Sequence, residues 1–191
     1  MSGKIRWRDH ERGPYIRTIS GRQFFLREPS ADQMYPTDIA HHLSGIYRYT
    51  GASRYSVAQH CVLAARMAHR FYKDHPDLPA QMLVHDVAEA YYGDMSSPLK
   101  SLNPAYKDLE KLADAAVEQR FGVRFVGVSL VKEIDDRMWL TESRQLFGES
   151  AMQDYDGPLE PFPLTIPIWS PFEAETYWLD ALGTRLPGVK W

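Results

Sequence analysis

The chain has 191 residues, a length that suits one domain with a substantial core, taken here as 1–191. A formal charge of −3 excludes nonspecific nucleic-acid binding over the whole surface, so no nucleic-acid partner is expected. One cysteine, Cys61, excludes an intrachain disulfide and fits a reducing, cytoplasmic setting, where it reads as a packed core thiol. The charged stretch Met1 to Asp9 lacks the apolar core of a signal peptide, and no apolar run is long enough to span a bilayer.

In chain order, Ile16 to Leu26 alternates around the turn signal Ser20-Gly21, which predicts a short hairpin in a hairpin-and-loop region of about residues 14–36. A helical core of about residues 37–148 follows. Thr37 or Asp38 is placed to cap its first short helix, which runs through Ile39, Leu43 and Ile46 towards Gly51 and carries the adjacent His41 and His42 as structural residues. Ser53 or Ser56 opens an alanine-rich helix, Val57 to Tyr72, with His60 on its apolar side and His69 towards solvent. Asp74-His75-Pro76 breaks it. The next helix contains Gln81 to Tyr91 and ends near Gly93-Asp94. Met95 to Pro104 reads as a loop with at most a brief turn.

Ala105 to Phe121 repeats Leu109, Leu112, Ala113, Ala116, Val117 and Phe121 at helical spacing before Gly122. The last core helix, about Ser129 to Phe147, has an inward stripe of Val128, Val131, Asp135, Met138, Trp139, Glu142 and Leu146. Asp135 and Glu142 therefore interrupt an apolar face while Asp136 falls on the wet side with Lys132, Glu133 and Ser143, unless Asp135 pairs with Arg144. A proline-rich segment, residues 157–171, is expected to run extended over the surface. Ser170-Pro171-Phe172-Glu173 then reads as the cap of a final helix, residues 171–183, burying Phe172, Tyr177, Trp178 and Leu182.

Chemistry concentrates in Gln81 to Tyr91, where His85, Asp86 and Glu89 lie within about one turn of a helix. Alone, such a stretch is equally a solvated charged face. Three predicted helices nevertheless each bring an imidazole or a carboxylate to the interior: His60, then His85-Asp86, then Asp135. Two imidazoles and two carboxylates suit a first-row divalent ion such as manganese, iron, cobalt, nickel or zinc. Magnesium would use fewer imidazoles and would enter on a substrate's phosphates. Glu89 is then placed beside the ion, where it can orient an attacking water or handle its proton.

The order His60, His85-Asp86, Asp135 resembles the H…HD…D pattern of the HD-domain phosphohydrolases, an all-α helical bundle, preceded here by the short N-terminal β-hairpin. It is most similar to short phage and bacterial deoxynucleotide hydrolases through Ser56-Val57-Ala58-Gln59-His60, through His85-Asp86-Val87-Ala88-Glu89, and through Gly93-Asp94-Met95-Ser96-Ser97-Pro98-Leu99-Lys100. Thr141-Glu142 and Trp169-Ser170-Pro171 add to the likeness, which spans about Ser20 to Leu182.

The resemblance implies cleavage of the 5′ phosphate ester of deoxynucleotides. The substrate would be a small nucleotide, either a monophosphate or a triphosphate such as dATP. It implies His60, His85, Asp86 and Asp135 as metal ligands, Glu89 as the acid/base, and Asp94 on the sugar hydroxyl. The Arg-Trp pair of such enzymes has its nearest equivalent in Arg48-Tyr49, with tyrosine for tryptophan; Lys100 is a further phosphate contact. A triphosphate would need several local cations, for which Arg48, Arg54, Lys100 and Lys107 are candidates. By analogy alone, a homo-oligomer is an expectation. The competing readings are a cyclic- or signalling-nucleotide phosphodiesterase, which the lack of a Gly-Tyr-Pro signature disfavours, and a catalytically idle nucleotide- or metal-binding module.

Overall fold

The computed structural model describes residues 10–125, 128–153 and 155–191. The readings of Met1 to Asp9 and of the Val128 side chain lie outside them. The described chain is all-α with a short N-terminal β-hairpin. In the hairpin, β1 (Tyr15–Arg17) pairs antiparallel with β2 (Gln23–Phe25), with Ile16 opposite Phe24. Gly21 makes the turn at φ +84°, a left-handed conformation that costs glycine nothing.

Helix α1 (Pro36–Gly45) starts earlier and ends sooner than its sequence suggests. Pro36 supplies the first turn, and Asp38 is no cap: its buried carboxylate accepts from the Ser20 hydroxyl at 2.6 Å and ties the helix to the hairpin. His42 is structural, with Nδ1 2.8 Å from the Ala90 carbonyl oxygen and Nε2 accepting from the Ile19 amide. Ser56 caps α2 (Val57–Phe71) by accepting from the Gln59 amide. Its buried residues include Val57, His60, Cys61, Ala64 and Ala68, and His69 faces solvent as expected.

The helix expected through Gln81 to Tyr91 is not continuous. It divides into α3 (Leu78–Val84) and α4 (Glu89–Tyr92), because the bonds between them tighten from four residues to three: Val87 donates to Val84, and Glu89 to Asp86. The short helix α5 (Ser97–Ser101) occupies the expected loop. Then come α6 (Pro104–Phe121), closed by Gly122 at φ +64°, and α7 (Val128–Phe147). The capping box of Ser170 and Glu173 opens α8 (Pro171–Arg185), which runs through Gly183.

Three residues expected inside are outside: Leu112 is 49% exposed, Phe172 78% and Tyr177 37%; Ser143, expected on the wet side of α7, is buried one position after the buried Glu142. The inner face of α8 is Ala174, Trp178 and Leu182, and Phe172 stands two positions, about 200°, from Ala174. The buried apolar cluster runs from Phe24 to Leu182 and packs α2 against α3, α7 and α8. Among the described residues no helix is long and apolar enough to cross a membrane.

Candidate metal centre and its cavity

Four chemistry-bearing residues meet where α2, the α3–α4 turn and α7 converge. Nε2 of His60 lies 3.3 Å from Nε2 of His85 and 3.3 Å from Oδ1 of Asp135. Oδ2 of Asp86 lies 3.3 Å from Nε2 of His85 and 3.7 Å from that of His60. Donor atoms of His60, His85 and Asp135 all fall within 4.8 Å of one another.

The hydrogen bonds behind the imidazoles decide what they present. Nδ1 of His85 is 2.8 Å from the Met82 carbonyl oxygen, which only accepts, so the proton sits on Nδ1. Nδ1 of His60 is likewise 2.5 Å from Oε1 of the fully buried Glu142. Both Nε2 lone pairs therefore point inward, at each other and at two carboxylates. Such a set repels itself unless a cation lies among its members, and it fits a divalent metal.

The carboxylates also call for positive charge at this point, which a second proton on an imidazole supplies when no ion is bound. Burial opposes charge on His60 and His85, yet Glu142 and Asp135 raise the first, and Asp86 and Asp135 hold the second well above its usual range. Burial would raise Asp135 too, but the two imidazoles hold it well below the usual carboxylate range. Sγ of Cys61 also approaches His85 and Asp86, but burial pushes that thiol up to about 11, so it stays a neutral core thiol and a poor ligand.

The remaining expected residues share one cavity of about 240 Å³. Arg48, Tyr49, Asp94 and Lys100 line it together with Asp86, Glu89 and Asp135. Arg54 and Lys107 do not line it; both are exposed. Arg48 is no surface residue. Its Nη1 is 3.5 Å from Oδ2 of Asp86 and its Nε 3.2 Å from Oε2 of Glu142.

Tyr49 and Thr50 both adopt left-handed backbone, at φ +60° and +54°, a strained pair that brings the Tyr49 hydroxyl to Oε2 of Glu142 at 2.6 Å. The Arg144 alternative for Asp135 is gone, because Arg144 bonds Glu149. Glu89 is 6% exposed, and its Oε2 has no hydrogen-bond partner among the described residues. Burial first, then Asp86 and Asp94, hold its carboxyl well above the usual range. A second cavity, about 280 Å³, reaches His85 and Asp135 beside Asp114 and Phe125.

Two residues of the site were given no role in it from the sequence. Glu142 had a signal, since it interrupts the apolar stripe of α7 just as Asp135 does. Trp139 was assigned to the core, yet it lines the cavity, half-buried.

The chain matches no protein-family profile. It is 37% identical over 134 residues to YfdR, an uncharacterized protein of Escherichia coli K12, a match covering 69% of this chain and 72% of that protein. The chain belongs to the family of YfdR. It is also 34% identical over 116 residues to an uncharacterized protein of Rhodobacter capsulatus, covering 56% of this chain and 58% of that one. A 5′-deoxynucleotidase of Pasteurella multocida is 36% identical over 74 residues, or 31% of this chain and 38% of the relative. The chain thus spans less than two thirds of these last two relatives.

Proposed function

We propose that this chain is a metal-dependent phosphohydrolase of the HD-domain type that releases inorganic phosphate from deoxynucleoside 5′-monophosphates. The observation that carries the reading is a converging set of two imidazoles and two carboxylates beside a cavity that also holds the buried Glu89, whose Oε1 lies 3.9 Å from Lys100 and whose Oε2 has no hydrogen-bond partner among the described residues. The partial likeness to a 5′-deoxynucleotidase supports the same class.

His60, His85, Asp86 and Asp135 would hold the ion. When bound there, a divalent ion would supply Lewis-acid chemistry to the phosphoryl oxygen and would acidify a water. Glu89 manages the proton: its oxygen takes one from the attacking water or hands one to the departing 5′ oxygen. Hydrolysis then forms one P–O bond to water and breaks the P–O5′ bond, leaving the deoxynucleoside hydroxyl protonated. Asp94, half-buried in the same cavity, accepts from the sugar hydroxyl.

The choice of monophosphate rests on the charges around the cavity. Its described lining carries four carboxylates, Asp86, Glu89, Asp94 and Asp135, against two cations. Both cations are engaged: Arg48 spans Asp86 and Glu142, and Lys100 bonds Glu110 at 2.8 Å. Nothing in that lining is left to neutralise a β and a γ phosphate.

The test is incubation of the purified protein with each deoxynucleoside mono- and triphosphate plus cobalt or manganese, with products resolved by chromatography. Phosphate and deoxynucleoside should appear from the monophosphates, and Glu89→Gln should lower turnover by about 10²–10⁴-fold while still binding the ion. Release of triphosphate would overturn the choice of substrate. No turnover of any nucleotide would sink the enzyme reading.

A further inference from the structure

The nucleotide reading leaves open what holds the base, and the structure supplies two aromatic side chains in the described lining, Tyr49 and Trp139. Tyr49 is committed elsewhere. Its hydroxyl is bonded to Glu142, and its ring meets Phe147 edge-on with centroids 5.1 Å apart.

Trp139 stands four residues after Asp135 on α7, hence on the same face and about 6 Å further along the axis. Its neighbours Met138 and Leu140 are fully buried, whereas Trp139 turns a half-buried indole to a cavity otherwise rich in carboxylates. Packing alone gives no reason to expose an indole there. The Tyr155 ring braces it, tilted by 63° at 6.2 Å. Met95 and Pro98 add apolar surface to the same lining.

We propose that Trp139 is the platform on which the nucleobase stacks, so that it determines the preference for nucleotides over simpler phosphate esters. The inference rests on the nucleotide phosphohydrolase reading. A phosphate held at the Asp135 end places its sugar beside Asp94 and its base, one ribose further out, against the indole. Stacking on a π-face tolerates any base, so this contact favours nucleotides as a class without selecting among bases.

The experiment compares the wild type, Trp139→Ala and Trp139→Phe on a deoxynucleoside 5′-monophosphate and on 2-deoxyribose 5-phosphate, which has the sugar ester without the base. Trp139→Ala should raise KM for the nucleotide about tenfold or more, with kcat nearly kept and kcat/KM for the sugar phosphate unchanged; Trp139→Phe should retain most of the affinity. An equal loss on both substrates would mean a structural role and overturn the proposal, as would no change on either.

Binding is read apart from turnover by quenching of tryptophan emission on adding the nucleoside monophosphate. Quenching present in the wild type and lost in Trp139→Phe supports the platform even if no ester is hydrolysed. Quenching equal in both, or absent from both, overturns it.

Discussion

Nδ1 of His60 lies 2.5 Å from Oε1 of Glu142, and both side chains are fully buried. The contact keeps the imidazole proton on the outer nitrogen and turns Nε2 towards the centre. The other oxygen of Glu142 receives Arg48 and Tyr49, so one carboxylate orients the His60 imidazole and the arginine beside it. Glu142→Gln should weaken ion binding by about 10–100-fold, read by calorimetric titration of the metal-free protein. Glu142→Ala, which takes from the buried Arg48 one of its two carboxylates and from Tyr49 and His60 their acceptor, should cost about 3–5 kcal/mol in chemical denaturation. Unchanged ion affinity in a folded Gln variant would show that His60 needs no such anchor.

Asp135 and Asp136 are adjacent in sequence and opposite in role. Asp135 faces both imidazoles, while Asp136 pairs with Lys132 on the outer surface of α7. Asp135→Ala should therefore abolish metal retention and activity. Asp136→Ala removes an exposed pair one turn apart and should change stability by about 0.5 kcal/mol or less, with metal content intact. Metal analysis of the two purified variants decides, and the reverse pattern would overturn the assignment of Asp135.

What periodicity could and could not reveal divides along physical lines. Asp135 was legible because a carboxylate inside an apolar stripe must have a partner, and the α8 cap because Ser170, Pro171 and Glu173 act through local backbone geometry. Phe172 and Leu112 were misplaced because the buried stripes of α8 and α6 are narrower than their apolar patterns. The tightened turn at His85 was invisible. Its residues suit a helix, and what occupies the carbonyls there is one local side chain, the His85 ring on Met82, and one from far along the chain, the Trp178 indole on Leu83. Which cations reach the cavity could not be read from spacing at all, since Arg48 arrives through a strained loop and Arg54 does not arrive.

Along α6, Glu110, Asp114 and Glu118 stand at successive four-residue intervals, like charges on one face. Burial, then Glu110 and Glu118, push the Asp114 carboxyl up to about 6. A carboxylate whose folded pKa lies above its unfolded value makes the fold lose stability as pH rises between the two, here from about 4 to about 6. Asp114→Asn should accordingly stabilise the protein at pH 7.5, by about 1 kcal/mol once solvent screening of this partly exposed group is allowed for. The gain should vanish near pH 4. Urea denaturation of both proteins at the two pH values, with chelator present so that no ion contributes, checks this. A gain that persists at pH 4 would show that ionisation of Asp114 is not its source.

Trp178 is fully buried on α8, and its Nε1 donates to the Leu83 carbonyl oxygen at 3.2 Å. That carbonyl would accept from Val87 in a regular helix, but Val87 bonds Val84 instead, and the indole takes its place. Trp178 thereby supports the tight turn that delivers His85 and Asp86 to the centre. Trp178→Ala should cost about 3–5 kcal/mol through the cavity it leaves. Trp178→Phe keeps most of the volume but strands a buried carbonyl, for a cost of about 1–3 kcal/mol and weaker ion binding, because the turn is freed to relax. Denaturation and metal titration of the Phe variant separate the two roles. Lost stability with wild-type ion affinity would make Trp178 a packing residue alone, and wild-type stability would remove the indole bond from the account of the turn.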